Sequence, residues 1–317
     1  MKRVLVTGAA GYIGGRVVRT LASIEGVEAV AVVRRAVDWL EDAQMVVADL
    51  GADTDVGTLG EAFRGVDAVV HLAGANEVVV ASRPEQAVAE TLLATQRVAV
   101  AATEAGVRRL VYLSTVHVYG AALTDDAVIS EDLVPQPQSP YASARLASEQ
   151  VLAAIGDRTS VVILRLTNSV GAPVHPGVDR WTLISNDLCR EAVTRGTVTL
   201  RTHGMQFRDF VAMTDVARVV AGVALSDRPP PGTYNLAAGR SITMRDLAAL
   251  VQDSVERLSG RRPALLAPAS PPQPPRPYTV LGDALAGSGY APGDTLASAV
   301  DETVEFCTRW KEVLGAG

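Results

Sequence analysis

Residues 4–14 read VLVTGAAGYIG, and this stretch decides the fold that the sequence predicts. Three apolar residues indicate a buried strand, and three glycines follow at the turn into an amphipathic helix. Glycine lets the backbone turn tightly there, so that a phosphate group can approach the positive end of the helix. A glycine turn between a strand and a helix predicts a dinucleotide-binding site, which here comprises Gly8, Gly11, Tyr12, Ile13 and Gly14.

The same alternation of short apolar strands and helices continues along the chain. Strands are predicted at residues 29–33, 46–48, 67–74, 111–113 and 161–164. This order predicts an α/β fold with a Rossmann-type, doubly wound parallel sheet and a smaller C-terminal α/β substrate-binding lobe. We expect residues 1–168 to form the NAD(P)-binding domain, with residues 207–238 returning to it. Residues 169–206 and 239–317 would then form the substrate-binding lobe, in which we predict a helix from Ser241 to Leu258 with Ser241 as its cap.

Two arginines, Arg34 and Arg35, follow the second predicted strand. A Rossmann fold usually places an acidic residue there for the ribose 2′-hydroxyl, whereas an arginine accommodates a 2′-phosphate. The pair therefore favours NADP(H) as cofactor, with NAD(H) as the alternative. After the third and fourth strands, Asp49 and Leu50 are suited to contact adenine, and Leu72, Ala73 and Gly74 let a cofactor lie flat on the backbone.

Composition restricts the class of protein. Hydrophobic residues make up 48% of the 317 residues and charged residues only 20%, which supports a large core. A net charge of −6 argues against a nucleic-acid partner. No apolar run approaches the ~20 residues of a membrane span, and the chain begins directly with a strand, so we expect a cytoplasmic protein. Two distant cysteines and four scattered histidines predict neither a disulfide framework nor a metal site.

The stretch from Val111 to Arg145 contains three groups suited to proton transfer. Thr115 stands at the end of a strand, and Tyr141 and Arg145 are one turn apart at the start of a helix. A cation near a phenol favours the phenolate form, which can accept a proton. We therefore predict that Thr115, Tyr141 and Arg145 are catalytic and that Tyr141 and Arg145 also contact the cofactor. His71 is interpreted as a packed strand residue.

In this order the motifs resemble those of the extended short-chain dehydrogenase/reductases, the nucleotide-sugar epimerase/dehydratase family. The resemblance covers essentially the whole chain. It implies that Thr115 is the family's catalytic Ser/Thr and Tyr141 its catalytic tyrosine. It also implies that Asn168, Arg208 and Arg276 contact the nucleotide and diphosphate of a nucleotide-sugar substrate, a role in which arginine pairs with phosphate oxygens.

The chain departs from the family pattern at three places. Arg145 replaces the lysine of Tyr-x-x-x-Lys, and Thr91 stands where many relatives have an asparagine. The 4,6-dehydratases of the family have an Asp-Glu pair after the threonine, whereas this chain has Val116 and His117. That elimination is therefore disfavoured unless His117, a further candidate substrate-binding residue, acts as the base.

These observations favour an NAD(P)-dependent oxidoreductase or epimerase that acts on a nucleotide-diphosphate sugar, by ketosugar reduction or 4-epimerisation. The alternative is a non-catalytic NADP(H)-binding sensor or scaffold, which the replacement of lysine by Arg145 favours. A 4,6-dehydratase is the third option. The low charge of the helices at residues 84–105 and 141–155 suggests that they form the interface of a homodimer.

Overall fold

The computed structural model describes residues 1–51, 56–156, 158–269, 273 and 275–315. Its strands are β1 (Lys2–Thr7), β2 (Val27–Val33), β3 (Gln44–Val47), β4 (Ala68–His71), β5 (Arg109–Thr115), β6 (Val128–Ile129), β7 (Ser160–Leu166), β8 (Asn168–Val170), β9 (Thr197–Thr199), β10 (Phe207–Ala212), β11 (Gly232–Leu236), β12 (Ser241–Thr243), β13 (Ala264–Leu266) and β14 (Thr279–Val280).

Helices connect most of these strands. They are α1 (Tyr12–Ala22), α2 (Val56–Phe63), α3 (Glu77–Ser82), α4 (Pro84–Glu104), α5 (Pro140–Ala153), α6 (Ile184–Arg195), α7 (Met213–Leu225), α8 (Met244–Ser259), α9 (Asp283–Ala286), α10 (Leu296–Arg309) and α11 (Lys311–Gly315). A 3-10 helix, Val116–Ala122, follows β5 directly. Among the described helices, none has both the length and the apolar character needed to cross a membrane.

A seven-stranded sheet in the order β11-β7-β5-β4-β1-β2-β3 forms the centre of the molecule. Every neighbouring pair is parallel. Parallel strands need both faces covered, which explains why Val4, Leu5 and Val6 are all fully buried. The predicted Rossmann-type sheet is confirmed.

Helices cover the two faces of this sheet. Side chains of a strand alternate between faces, so Val4 and Val6 pack with α1 and α7. Leu5 points to the other face and packs with α2, α4 and α5. The strand order changes direction between β1 and β4, whose last residues Thr7 and His71 are direct neighbours. The carboxyl ends of the strands at such a switch point form the crevice in which ligands bind.

A second lobe has its own core, in which α6, α8 and α10 pack around β8, β9 and β10. The segment 207–238 is divided between the two parts. Strand β10 does not join the central sheet, because it pairs with β8 on one side and with β12 on the other. Helix α7 and strand β11 do lie with the central sheet.

The helix predicted from Ser241 begins three residues later. Ser241 lies in β12, and α8 is capped by Thr243, whose hydroxyl accepts a hydrogen bond from the backbone N–H of Asp246. The Asp246 carboxylate in turn accepts from the backbone N–H of Thr243 at 2.9 Å. The reciprocal bonds of this capping box fix the start of the helix.

Candidate active site

The glycine turn after β1 forms a cradle that side chains would fill. A Cβ atom on Gly14 would lie 2.1 Å from the carbonyl oxygen of Gly8, and one on Gly8 would lie 2.9 Å from the nitrogen of Ala73. Gly11 caps α1 without any side-chain hydrogen bond, and the first turn carries no acidic residue. The amides of this helix terminus are therefore left for an anion, so the residues fit the pyrophosphate of a dinucleotide.

The hydroxyl of Thr7 joins the ends of β1 and β4. Its oxygen accepts hydrogen bonds from the backbone N–H groups of Leu72 and Ala73, each at 3.2 Å. Gly74 follows with a φ of 153°, a value that favours glycine. The structure thus places the predicted residues Leu72, Ala73 and Gly74 directly beside the glycine turn.

The predicted adenosine contacts lie at the neighbouring strand ends. Arg34 and Arg35 are exposed where β2 ends. After β3, the Asp49 carboxylate accepts a hydrogen bond from the backbone N–H of Gly51 at 3.0 Å. Leu50 is buried, and its carbonyl oxygen accepts a hydrogen bond from Arg97. Arg34 and Arg35 are thus accessible at the end of β2, Asp49 is partly accessible after β3, and Leu50 packs into the core.

Thr115 and Tyr141 come from two elements that pack together. Thr115 is the buried last residue of β5, and its hydroxyl oxygen accepts a hydrogen bond from the backbone N–H of His117 at 3.2 Å. Tyr141 is half-buried in the first turn of α5, which Ser139 caps through a bond from Ala142 at 3.2 Å. Helix α5 packs against both β5 and the 3-10 helix that follows it.

Arg145 provides a buried positive charge next to the phenol. Its guanidinium carbon lies 5.4 Å from the ring centre of Tyr141, and Nη1 donates to the hydroxyl of Tyr112 at 3.3 Å. Burial alone would lower the pKa of Arg145, but the two tyrosines outweigh this effect and raise it. Arg145 therefore remains a cation at any physiological pH, and a hydroxyl, a phenol and a fixed charge lie in one region.

A buried ion pair that the sequence analysis did not identify supports this region. Glu149 accepts a hydrogen bond from Ser114 and pairs with Arg165, whose Nη2 lies 2.7 Å from the carboxylate. Glu149 lies on α5, one turn after Arg145, so the pair ties this helix to the ends of β5 and β7. The spacing Tyr141, Arg145, Glu149 is the signal that would have revealed it.

The predicted substrate contacts lie at the mouth of the crevice, on the side of the second lobe. Although His117 is an exposed residue, the protein atoms around its ring lower its pKa by desolvation, the charge of Arg208 lowers it further, and Glu77 opposes both effects. His117 therefore carries no charge at neutral pH. The structure places His117 and Arg208 near each other, and the exposed Arg208 side chain donates a hydrogen bond to the adjacent carbonyl of Phe207 and also interacts with Tyr278.

The other two predicted substrate residues are engaged with the protein. Asn168 donates a hydrogen bond from its side chain to the carbonyl oxygen of Asp209 at 2.9 Å, which ties β8 to β10. Arg276 forms an exposed ion pair with Asp126 at 2.7 Å. Arg276 and Arg208, both predicted to contact the diphosphate, thus have different partners in the structure, a carboxylate and a backbone carbonyl.

Residues 171–180, which we call the strap, cross from the second lobe over the glycine turn. The hydroxyl of Tyr12 donates to the carbonyl oxygen of Gly171 at 2.6 Å. The ring of His175 stacks on Trp39 at 4.4 Å, in the loop after β2. No sequence motif indicated these contacts.

The far end of the strap also contacts the first domain. Arg180 pairs with Glu77 through two bonds, at 3.0 and 3.2 Å. Glu77 is the first residue of α3, which follows the β4 turn. The strap is thus held at both ends, with the glycine turn between its anchors.

Comparisons with known proteins agree with this architecture. A model described as "NAD dependent epimerase/dehydratase family" matches residues 4–237. The chain is 31% identical to UDP-glucose 4-epimerase of Azospirillum brasilense, over 86% of this chain and 82% of the relative. It is 32% identical to dTDP-6-deoxy-L-talose 4-dehydrogenase (NAD(P)(+)) of Kitasatospora kifunensis, over 78% of each chain. The solved structure of MoeE5 in complex with UDP-glucose and NAD superposes with a TM-score of 0.78 at 29% identity, covering 98% of this chain and 99% of the other.

Proposed function

Because the chain belongs to the NAD dependent epimerase/dehydratase family, we propose that it is an NAD(P)-dependent enzyme acting on a nucleotide-diphosphate sugar. The reaction is 4-epimerisation or the reduction of a ketosugar, as in the relatives whose names include a 4-epimerase and a 4-dehydrogenase. One observation carries this proposal: the buried cation Arg145 lies over Tyr141, next to a glycine cradle that fits a pyrophosphate. The alternative of a sensor or scaffold without catalysis, which the replacement of lysine by Arg145 raised, finds no support among the relatives, which are named as enzymes.

Tyr141, Thr115 and Arg145 have different roles in the proton transfer. Tyr141 takes the proton from a sugar hydroxyl when its carbon is oxidised, and returns a proton in the reverse direction. The hydroxyl of Thr115 already accepts a bond from the His117 amide, so its own proton can be donated to the same sugar oxygen. Arg145 stabilises the phenolate form electrostatically. The nicotinamide cofactor, when bound, accepts and donates the hydride.

The cofactor preference that we propose is for NADP(H). Arg34 and Arg35 support it, because they are exposed at the strand end where a Rossmann fold meets the ribose 2′-position. No acidic residue stands between the end of β2 and Asp38. NAD(H) stays the alternative, since the solved relative named above is a complex with NAD.

For the substrate, we propose that Arg208 and Asn168 contact the nucleotide diphosphate at the lobe side of the crevice. The exposure of Arg208 supports this role. Arg276 would join them only after leaving Asp126, an exposed pair that holds it weakly. A 4,6-dehydratase remains less favoured, because Val116 and His117 stand where that reaction uses a pair of carboxyl groups.

A panel of nucleotide sugars and nucleotide ketosugars, each incubated with NADPH or NADH, tests the proposed function. Loss of the absorbance of the reduced cofactor identifies a reductase, and isomer formation without loss identifies an epimerase.

Substituting Tyr141→Phe should lower turnover by at least about a hundredfold, the contribution of a general acid–base group. Its affinity for the cofactor should hardly change. Tyr234→Phe, on an edge strand away from the site, is the control. A fully active Tyr141→Phe enzyme contradicts the mechanism.

A further inference from the structure

Arg145 brings more hydrogen-bond donors into the site than the lysine it replaces. A guanidinium group has five N–H donors, whereas an ammonium group has three. The Arg145 side chain is only 8% exposed, so water cannot satisfy the additional donors. Buried donors without acceptors are strongly destabilising. The protein must therefore supply acceptors that a lysine would not need.

The first acceptor is the hydroxyl of Tyr112, at 3.3 Å from Nη1. Tyr112 is fully buried in β5, and its ring stacks against His71 with the ring centres 5.5 Å apart. His71 is itself fixed by hydrogen bonds at both ring nitrogens, to Thr7 and to Thr95. The hydroxyl of Tyr112 that accepts from Arg145 is therefore held in place by the packing of Tyr112 against the fixed ring of His71.

The second acceptor is the carbonyl oxygen of Ala75, at 3.5 Å from Nη2. The backbone of this residue is held by Thr91, whose hydroxyl accepts from the Ala75 N–H at 3.1 Å and donates to the Ala87 carbonyl at 2.7 Å. Gly74 leaves room for the guanidinium, since a Cβ atom there would lie 3.2 Å from both Nη1 of Arg145 and Cγ2 of Thr91. Thr91 and Arg145, two of the three departures from the family pattern noted in the sequence, thus lie next to each other beside Gly74.

From this geometry we propose that Tyr112 is a positioning residue that holds the guanidinium of Arg145 beside Tyr141, with Thr91 fixing the second acceptor. The proposal rests on the proposed function, because it assigns Arg145 the electrostatic role in that reaction. Tyr112 touches neither substrate nor cofactor in this role; it acts through Arg145. Without its hydroxyl, the long arginine side chain would lose the contact that selects its orientation.

The test compares Tyr112→Phe with the unaltered enzyme over a range of pH. The ring of phenylalanine keeps the stacking on His71, so only the hydroxyl is lost. We expect kcat at neutral pH to fall about tenfold, which corresponds to one hydrogen bond to a charged group, while KM stays the same. The pH-rate profile should move to higher pH, because a displaced Arg145 stabilises the phenolate less. Tyr290→Phe, which loses a hydroxyl bond to Gly222 far from the site, is the matched control.

Repeating the Tyr112→Phe substitution in an Arg145→Lys enzyme separates a positioning role of Tyr112 from a merely structural one. Tyr112→Phe should reduce kcat about tenfold when residue 145 is arginine, but less than about twofold in an Arg145→Lys enzyme, since lysine does not need this acceptor. Equal reductions in both backgrounds, or an unchanged pH profile in Tyr112→Phe, would overturn the proposal.

A titration that does not require catalytic turnover tests the positioning role of Tyr112 separately from the proposed function. The phenolate absorbance of Tyr141 is obtained as the difference between the protein and its Tyr141→Phe variant, each titrated with base. Tyr112→Phe should move this difference titration to higher pH, and an unchanged titration contradicts the positioning role. If no nucleotide sugar is turned over, the proposed function fails, while the titration still decides the role of Tyr112.

Discussion

His71 is a buried residue whose charge is fixed by the hydrogen bonds around it. Thr7 accepts two backbone N–H bonds, so its own proton points to Nδ1 of His71 at 2.7 Å. The ring proton is thereby assigned to Nε2, which donates to Thr95 at 3.1 Å. The hydroxyl of Thr95 donates a hydrogen bond to the carbonyl oxygen of Thr91 at 2.9 Å. This ordered chain requires a neutral imidazole between β4 and α4.

Acid should therefore destabilise the protein through His71. Burial, with a contribution from Arg145, lowers the pKa of His71 from 6.5 to about 3. Between these values the unfolded chain binds a proton that the folded chain does not, so stability falls as the pH falls. From pH 7 to pH 5 the loss attributable to His71 is about 2 kcal/mol of unfolding free energy.

Urea denaturation at pH 7 and pH 5 measures this loss. We expect His71→Gln to be less stable than the unaltered protein at pH 7, because it breaks the chain of hydrogen bonds. Its stability should nevertheless change less between the two pH values, by the same amount of about 2 kcal/mol. An equal pH dependence in both proteins would show that His71 is not held neutral.

How far individual residues could be predicted depends on whether local spacing fixes them. The glycine turn and the pair Tyr141–Arg145 follow from spacing along a short stretch of chain, so the sequence predicts them directly. The partner of Arg276 is Asp126, 150 positions away, and nothing in the sequence couples the two. Glu149 lies between these cases: its position on α5 is readable, but its partners Ser114 and Arg165 come from two strands.

At the level of elements, strand order was predictable and the ends of elements were less so. Alternating apolar strands and helices specify a parallel sheet, because each strand must be buried on both faces. The path of β10 was not predictable, since its pairing with β8 depends on how the chain leaves the end of β7. The start of α8 was readable in principle: Thr243 and Asp246 have the spacing of a capping box, and Ser241 lacks it.

The strap connects elements of both lobes across the cofactor crevice. Between its two ends, the side chain of Val174 packs on the backbone of Gly15, where an added Cβ atom would lie 2.5 Å from it. Gly15 belongs to the first turn of α1, next to the pyrophosphate cradle. We therefore expect a bound dinucleotide to leave past the strap, which the ion pair of Arg180 with Glu77 links to α3.

Glu77→Gln should therefore accelerate release of the cofactor. The expected increase is about two- to fivefold, because a partly exposed ion pair contributes at most about 1 kcal/mol. Stopped-flow fluorescence measures the rate, with a large excess of unlabelled competitor to prevent rebinding. Glu302→Gln is the matched control: it also removes an ion pair between the lobes, with Arg16, but one that lies outside the strap. Equal rates for the two variants would show that the strap does not limit release.

For the whole molecule, the outer surface of α4 and α5 is the feature that the fold leaves unexplained. The two helices pack side by side over one face of the sheet. Their exposed and half-buried positions include small or apolar residues with few charges: Ala89, Leu93, Gln96 and Val100 on α4, Ala147 and Val151 on α5, and Ala154 just after its end. Val100 is 49% exposed. We propose that this surface forms the interface of a homodimer, in which two copies would bury it as a four-helix bundle.

A charge placed in this surface should separate the two copies. We expect the unaltered protein to sediment at twice the 33.2 kDa mass of the chain, and Val100→Asp to sediment as a monomer, because an interface core does not tolerate an unpaired carboxylate. Val134→Asp provides the control, since Val134 is 75% exposed in the loop before α5 and belongs to neither helix; this variant should remain dimeric. Sedimentation of the unaltered chain as a monomer, or of Val100→Asp as a dimer, would contradict the interface.

Helix α5 also carries Tyr141 and Arg145. If dimerisation stabilises this helix, the monomeric variant should bind cofactor less tightly than the dimeric one. Titrating cofactor into both variants measures this coupling.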